Sequence, residues 1–154
     1  MDKSHLGGAS LDCRDENTYM PDVWQHLANK YSIKSMVDIG TGAAWNAEWW
    51  HTNGYYSIGI EGWQDAINKT RLPAERLIVH DYQDGPLIIP KTDLGWSSEF
   101  VEHVEEKYIP NWMSTAKCCR WFCMTFAIPG QTGFHHVCEK PMEFWLEQFD
   151  RNEF

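Results

Sequence analysis

The spacing of apolar and polar positions along the chain predicts short buried strands separated by helices. Apolar runs predict strands at residues 35–39, 55–60, 77–80, 92–97 and 120–126. Helical spacing predicts helices at residues 21–31, 44–51, 62–69, 98–103, 105–116 and 141–149, with Pro110 kinking or dividing the fifth. Strands that alternate with helices favour an α/β fold, in which a parallel sheet of about five strands carries helices on both faces.

The first 19 residues are polar and contain glycines but show no periodicity, so they predict an N-terminal arm. That arm is either an ordered lid or a floppy segment. Residues 20–154 predict a single domain, because a chain of 154 residues has the length of one domain and can bury a real core.

One apolar run leads directly into a glycine turn. Residues 36–39 predict a buried strand, and Gly40 and Gly42 follow in a Gly-x-Gly turn before the next helix. Glu61 ends the second predicted strand, about 20 positions further on, where an acidic side chain can accept hydrogen bonds from ribose hydroxyls. Together these features indicate an adenosine-containing cofactor at the carboxyl ends of the strands.

Composition and charge exclude several classes of partner. The net charge is −9, the sequence pI is near 5.1 and no basic run occurs, which argues against nucleic-acid and anionic-membrane binding. Five cysteines without paired spacing argue against a disulfide framework. No signal peptide or long apolar stretch occurs, so we expect a cytoplasmic protein. The nine tryptophans indicate either a core of large side chains or an aromatic ligand or partner surface.

Five segments in this order resemble motifs of class I S-adenosylmethionine-dependent methyltransferases. They are VDIGTG at residues 37–42, GIEG at 59–62, HDY at 80–82, DLGWSSEFVEHV at 93–104, and MTFAIPGQ at 124–131 with HHV at 135–137. The last resembles a subgroup frequent in bacteriophage and environmental sequences, for which the location would be the host cytoplasm. The resemblance covers about residues 20–150 and implies a Rossmann-like fold and the cofactor S-adenosyl-L-methionine.

Two features depart from the family pattern. Ala44 stands where the glycine turn of the family often has a third glycine. The family sheet usually has seven strands, so five strands would leave a shortened sheet with an exposed edge. Such an edge invites pairing with another chain, and we therefore expect a homo-oligomer.

The resemblance implies a set of cofactor-binding residues at the strand ends. Asp38 would organise the glycine turn, Glu61 would accept from the ribose, and Asp81 with the backbone of Tyr82 would address the adenine. Trp63 would stack on the adenine or pack under the sheet. The full expected set is Asp38, Gly40, Thr41, Gly42, Glu61, Gly62, Trp63, Asp81, Tyr82 and Ser97.

The candidate catalytic residues are acids and histidines after the fourth and fifth strands. On a helix, Glu99 would share a face with Glu102 and with His103, and a neighbouring carboxylate would raise the imidazole pKa to suit a general base. The alternative is a helix N-terminus enriched in acids. His135 and His136 lie in a later loop that could fold over the site, or they are structural.

No metal is expected, because the spacing of these two histidines with Cys138 matches no closed zinc site. The expected function is methyl transfer from S-adenosylmethionine to an unidentified small-molecule or macromolecular acceptor. The alternatives are a non-catalytic cofactor-binding module or assembly subunit, and an enzyme that cleaves the cofactor. A nicotinamide enzyme is less favoured, since Trp45 occupies the place of the last glycine in G-x-G-x-x-G.

Overall fold

The computed structural model describes residues 3–154 and contains one parallel sheet. The strands are β1 (Ser35–Ile39), β2 (Tyr56–Glu61), β3 (Leu77–Val79), β4 (Thr92–Ser97) and β5 (Cys119–Met124). Their order across the sheet is β3-β2-β1-β4-β5, and all four neighbouring pairs are parallel. The predicted shortened, five-stranded parallel sheet is therefore confirmed.

Five α-helices accompany the sheet. They are α1 (Pro21–Tyr31), α2 (Trp45–Thr52), α3 (Gln64–Asn68), α4 (Ile109–Ala116) and α5 (Met142–Arg151). No helix among residues 3–154 is long and apolar enough to cross a membrane.

The core consists of two layers, one on each face of the sheet. Successive residues of β1 point to opposite faces, so Met36 packs in the layer that contains α1 and α2, while Val37 packs in the layer that contains α4 and α5. Helices therefore cover both faces, as expected. Four tryptophans are fully buried in these layers, which supports a core of large side chains; they are Trp24, Trp50, Trp112 and Trp145.

The helix expected at residues 98–103 does not form. Two single 3-10 turns, Val101–His103 and Glu106–Tyr108, precede α4, and Pro110 lies in the first turn of α4 rather than kinking it. Glu99 has a left-handed φ of 50°, and its backbone N–H donates to the Thr125 hydroxyl beyond β5. A residue in this conformation cannot continue a right-handed helix, so the proposed shared helix face of Glu99, Glu102 and His103 is wrong.

The N-terminal arm lies across the carboxyl edge of the sheet. Lys3 and His5 both contact Asp81, and Ala9 packs close to the glycine turn at Gly42. The described part of the arm therefore covers the strand ends where a ligand of an open α/β sheet binds. The first two residues of the expected arm lie outside the described residues.

Candidate active site

A cleft opens at the carboxyl ends of β1, β2, β3 and β4, beneath the N-terminal arm. Its lining includes Thr41 from the glycine turn, Glu61 from β2 and Asp81 from the segment after β3. The segment after β4 contributes Glu99 and His103. We call the part lined by the ends of the first three strands the cofactor side and the part lined by the segment after β4 the acceptor side, after the roles expected from the sequence. The loop after β5 packs against the acceptor side, where the ring of His136 lies 5.1 Å from that of His103.

The glycine turn allows the backbone to bend sharply at the end of β1. Gly40 and Gly42 have φ values of 71° and 56°, and a methyl group at Gly40 would overlap the ring of Phe100. Ala44, where a third glycine was expected, also has a positive φ, 66°, immediately before α2. The turn keeps the left-handed geometry at this position even though its residue carries a methyl group.

Asp38 ties the glycine turn to the strand that precedes it. Its carboxylate is buried and accepts a hydrogen bond from the Thr41 hydroxyl at 2.7 Å. Burial raises the pKa of Asp38 to about 7, the charge of Glu61 adds to that rise, and hydrogen bonds from Thr41 and the Ala47 backbone oppose it. The structure therefore places Asp38 behind the turn, where it can organise it.

Glu61 connects the glycine turn to the start of α3. Its Oε2 accepts from the Gly42 N–H at 2.7 Å, and its Oε1 accepts from the Gly62 and Trp63 N–H groups at 2.8 Å. A carboxylate can accept about four hydrogen bonds, so about one position remains for a ligand. Burial raises the pKa of Glu61, and the three backbone donors oppose that rise. Trp63 itself lines the cleft.

Asp81 is in contact with two basic side chains of the arm. Its Oδ2 accepts from Lys3 Nζ at 2.5 Å and lies 3.0 Å from His5 Nε2, and its Oδ1 accepts from the Gln83 N–H. Burial acts to raise the pKa of Asp81, but the bonds from Lys3 and Gln83 and the charge of His5 outweigh it and lower the pKa. No local sequence pattern indicates the contacts with Lys3 and His5, which lie more than 70 positions away.

Two residues of the expected cofactor-binding set use their hydroxyl groups in hydrogen bonds within the protein. The Tyr82 hydroxyl is buried and donates to the Thr115 hydroxyl, although the residue still borders the cleft. The Ser97 hydroxyl is fully buried and donates to the Ile39 carbonyl, and it is the neighbouring Ser98 that lines the cleft.

Four of the expected catalytic residues lie together on the acceptor side. We call them the acid–histidine cluster; they are Glu99, Glu102, His103 and His136. Ligand atoms of the last three lie within 4.8 Å of one another. The carboxyl group of Glu99 lies beside that of Glu102, and it accepts from the Thr125 hydroxyl at 2.7 Å. His135 is not in this group; its ring lies 6.3 Å from that of His5.

The electrostatics of the cluster differ from the expectation. Burial raises the pKa of Glu102 to about 7, and the charge of Glu99 adds to the rise. Burial also lowers the pKa of His103, and the adjacent His136 lowers it further, so the expected rise of the imidazole pKa is wrong. Burial thus outweighs attraction to the neighbouring carboxylates, and the neutral imidazole is favoured.

His136 has a supporting partner that the sequence analysis missed. Its Nδ1 lies 2.7 Å from the Gln131 carbonyl and 3.1 Å from a carboxylate oxygen of Glu139. The spacing of three between the histidine and the acid was the available signal, but the segment is an irregular loop in which that spacing predicts no contact.

No family model matches the sequence, and no curated protein matches it. Solved structures do. A TehB-like SAM-dependent methyltransferase from Corynebacterium glutamicum is 16% identical, with a TM-score of 0.64 over 85% of this chain and 79% of that one. TehB from Haemophilus influenzae is 14% identical, with a TM-score of 0.65 over 88% of this chain and 52% of that one. The glycopeptide N-methyltransferase MtfA, complexed with S-adenosyl-L-methionine, is 11% identical, with a TM-score of 0.55 over 80% and 61%.

These similarities establish the fold. The chain has the Rossmann-like architecture of S-adenosylmethionine-dependent methyltransferases in a shortened, five-stranded form. It spans about half the length of the Haemophilus protein and about four fifths of the Corynebacterium protein.

Proposed function

We propose that this protein binds S-adenosylmethionine in the cleft and transfers its methyl group to an acceptor. The observation that carries the proposal is the convergence of the glycine turn, Glu61 and Asp81 at the carboxyl ends of three adjacent parallel strands. In an open α/β sheet this edge is where a nucleotide-type ligand binds. The fold shared with known methyltransferases favours this cofactor over other adenosine compounds.

The residues of the cofactor side fit the parts of such a ligand. Glu61 has about one acceptor position left for a ribose hydroxyl. Asp81 would accept from the adenine amine once Lys3 and His5 move aside, and Trp63 would offer a ring face to the base. When bound, the cofactor supplies an electrophilic sulfonium methyl, so the protein mainly has to align donor and acceptor.

The acceptor side would act on the substrate. His103 borders the cleft, its imidazole is favoured in the neutral form, and its Nδ1 has no hydrogen-bond partner among the described residues. A neutral imidazole in this position can accept a proton from an acceptor hydroxyl or amine as the methyl group arrives. We place the chemistry of the acceptor at the acid–histidine cluster, with His135 as a neighbouring contact.

Calorimetric titration with S-adenosylhomocysteine and S-adenosylmethionine tests the cofactor. We expect micromolar-range binding to the wild type and a loss of at least about tenfold in Glu61→Ala, since hydrogen bonds to a charged group contribute about 1.5–3 kcal/mol each. Glu75→Ala is the matched control, because Glu75 is exposed and lies outside the cleft. Absence of binding by the folded wild type would overturn the proposal.

A non-catalytic cofactor-binding subunit is the second candidate, and the shortened sheet favours it. Within residues 3–154, β5 pairs only with β4, and Trp121 on β5 is 40% exposed, so the edge of the sheet at β5 could take another strand. Binding without methylation of any compound in a broad acceptor panel would favour this candidate. Mass spectrometry of the cofactor after incubation without an acceptor distinguishes these two candidates from an enzyme that cleaves the cofactor, because only the cleaving enzyme would degrade it.

Sedimentation velocity tests the proposed homo-oligomer. A purely monomeric protein would rule the homo-oligomer out.

A further inference from the structure

The acid–histidine cluster contains buried polar atoms that lack a well-formed hydrogen bond to any of residues 3–154. The side chain of Glu102 is fully buried, and neither of its carboxylate oxygens makes a well-formed hydrogen bond to a described residue, although its own backbone N–H and the carboxyl group of Glu99 lie close to it. The Nδ1 atom of His103 is also buried and unpartnered. Leaving such atoms without a partner costs free energy, and buried polar groups in native proteins are almost always bonded. The cluster therefore offers buried oxygen and nitrogen atoms that a ligand can use.

The two imidazoles are oriented so that each has a nitrogen without a hydrogen-bond partner among the described residues. His136 Nδ1 is within hydrogen-bond distance of the Gln131 carbonyl, a pure acceptor, so the proton lies on Nδ1 and Nε2 is free. The Nδ1 atom of His103 has no hydrogen-bond partner among the described residues, so it is the nitrogen of that ring that a ligand can use. Each ring therefore has one nitrogen without a protein hydrogen-bond partner among the described residues, which can bind a metal ion when it carries no proton.

Glu139 adds a second observation of the same kind. Its carboxylate lies 3.1 Å from His136 Nδ1, on the side of the ring opposite the free nitrogen. An imidazole that donates to a carboxylate or a backbone carbonyl through its other nitrogen is the usual arrangement of a metal-bound histidine. His136 has both kinds of partner.

We propose that Glu102, His103 and His136 bind a divalent transition-metal ion, with Glu99 as a fourth ligand from the exposed side. The ligand atoms of the first three lie within 4.8 Å of one another. Ligands about 2.0–2.2 Å from an ion are separated by roughly 3–4 Å, so shifts of about 1 Å would close the site. Two imidazoles with carboxylates favour zinc, manganese, iron or cobalt over calcium or magnesium.

The position of the site gives it a consequence for catalysis, and this part rests on the proposed function. Glu99 and His103 both line the cleft, so an ion between them would be open to an acceptor oxygen. A bound cation lowers the pKa of a coordinated hydroxyl and so eases loss of its proton before methyl transfer. The ion would then act as a Lewis acid, the proton of the coordinated hydroxyl would pass to solvent in the cleft, and acceptors with a hydroxyl group would be favoured.

Metal titration without cofactor tests the site itself. After treatment with a chelator, the wild type should bind one equivalent of Co²⁺ or Mn²⁺, whereas Glu102→Gln and His136→Asn should bind at least about 100-fold more weakly. The metal affinity of Glu139→Gln should be about 10–100-fold weaker than that of the wild type, as expected for a group that orients a metal ligand. His26→Asn and Glu143→Gln are matched controls, because both residues are exposed on helices away from the cluster.

The competing explanation is that Glu102 is protonated and shares its proton with Glu99, with no ion involved. Absence of stoichiometric binding by the wild type, or equal binding by Glu102→Gln and His136→Asn, would overturn the metal site. If either variant fails to fold, electron spin echo measurements on the Mn²⁺-loaded wild type decide: imidazole nitrogen couplings support the site, and their absence refutes it. Metal binding without binding of S-adenosylhomocysteine would refute the proposed function alone.

Discussion

The buried carboxylates on the two sides of the cleft differ in how many hydrogen bonds they accept from the protein. On the cofactor side, Asp38, Glu61 and Asp81 each accept hydrogen bonds from protein donors. On the acceptor side, Glu102 is equally buried and accepts no well-formed hydrogen bond through its side chain among residues 3–154. The first arrangement fixes the shape of a binding site before any ligand arrives, whereas the second leaves coordinating atoms for a ligand to use.

The difference follows from the elements that build each side. Strand register holds the cofactor side, where the Gly40 and Thr41 N–H groups donate to the Ile60 carbonyl and so join the turn to β2. The acceptor side is built from the 3-10 turn Val101–His103 and the loop after β5. The Val137 and Cys138 N–H groups of that loop donate to the backbone carbonyl of Glu102 and so join the two segments. Its backbone is fixed, but its side chains face one another rather than backbone donors.

The largest effect should come from filling the glycine turn. Gly40→Ala forces a methyl group into the Phe100 ring at a φ of 71°, so we expect destabilisation of roughly 2–4 kcal/mol and at least 100-fold weaker binding of S-adenosylhomocysteine. Urea unfolding and calorimetry measure the two effects. Gly54→Ala is the control: its φ is also positive, at 86°, but nothing lies within 4 Å, so only about 1 kcal/mol should be lost. Equal losses in the two variants would show that the turn is not closely packed.

Removal of the Asp38 charge should stabilise the protein above neutral pH. The pKa of Asp38 is raised to about 7 from 3.8, so the folded state binds more protons than the unfolded state between these values. The contribution of this group to stability therefore decreases as pH rises from about 4 to 7 and is constant above that range. Asp38→Asn remains neutral, so its stability relative to the wild type should rise with pH, reaching a gain of roughly 2–4 kcal/mol at pH 8.

Urea unfolding of both proteins from pH 4 to pH 8 measures this gain. Asp150→Asn provides the control, since Asp150 is exposed and its substitution should leave the pH profile unchanged. A constant difference between Asp38→Asn and the wild type across the range would contradict the prediction. It would mean that Thr41 and the Ala47 backbone stabilise the charge enough to cancel the effect of burial.

A pair of glutamine substitutions compares the two sides directly. In Glu61→Gln an amide N–H₂ must face backbone N–H donors, so we expect the free energy of unfolding to fall by roughly 2–3 kcal/mol. In Glu102→Gln no well-formed side-chain hydrogen bond of the described residues is lost, and the change in metal-free protein should stay within about 1 kcal/mol. Unfolding in the presence of a chelator measures both. A larger loss in Glu102→Gln than in Glu61→Gln would reverse the proposed contrast.

Sequence patterns predicted the strands that carry the cofactor side well, because the determinants of those strands are local. Residues 92–97 were predicted as a strand with the bounds that β4 has, and the strand before Gly40 and Gly42 ends where expected. The acceptor side could not be predicted in the same way. The left-handed conformation of Glu99 accompanies a hydrogen bond to Thr125, 26 residues away, and no local pattern encodes that contact. The residues of the cluster were among the predicted catalytic candidates, but the helix that was expected to bring Glu99, Glu102 and His103 together does not form.

The smallest predicted effect concerns the N-terminal arm, whose contacts with Asp81 occupy a carboxylate oxygen that a ligand could otherwise use. Lys3 and His5 fill the acceptor positions that an adenine amine would need. Because an ion pair at a partly exposed lysine contributes only about 0–1 kcal/mol, Lys3→Ala should bind S-adenosylhomocysteine up to about fivefold more tightly. Lys107→Ala removes a comparable pair with Glu105 outside the cleft and should leave the affinity unchanged. Weaker binding by Lys3→Ala would instead mean that the arm closes over the bound cofactor, so that Asp81 serves the arm and the ligand together.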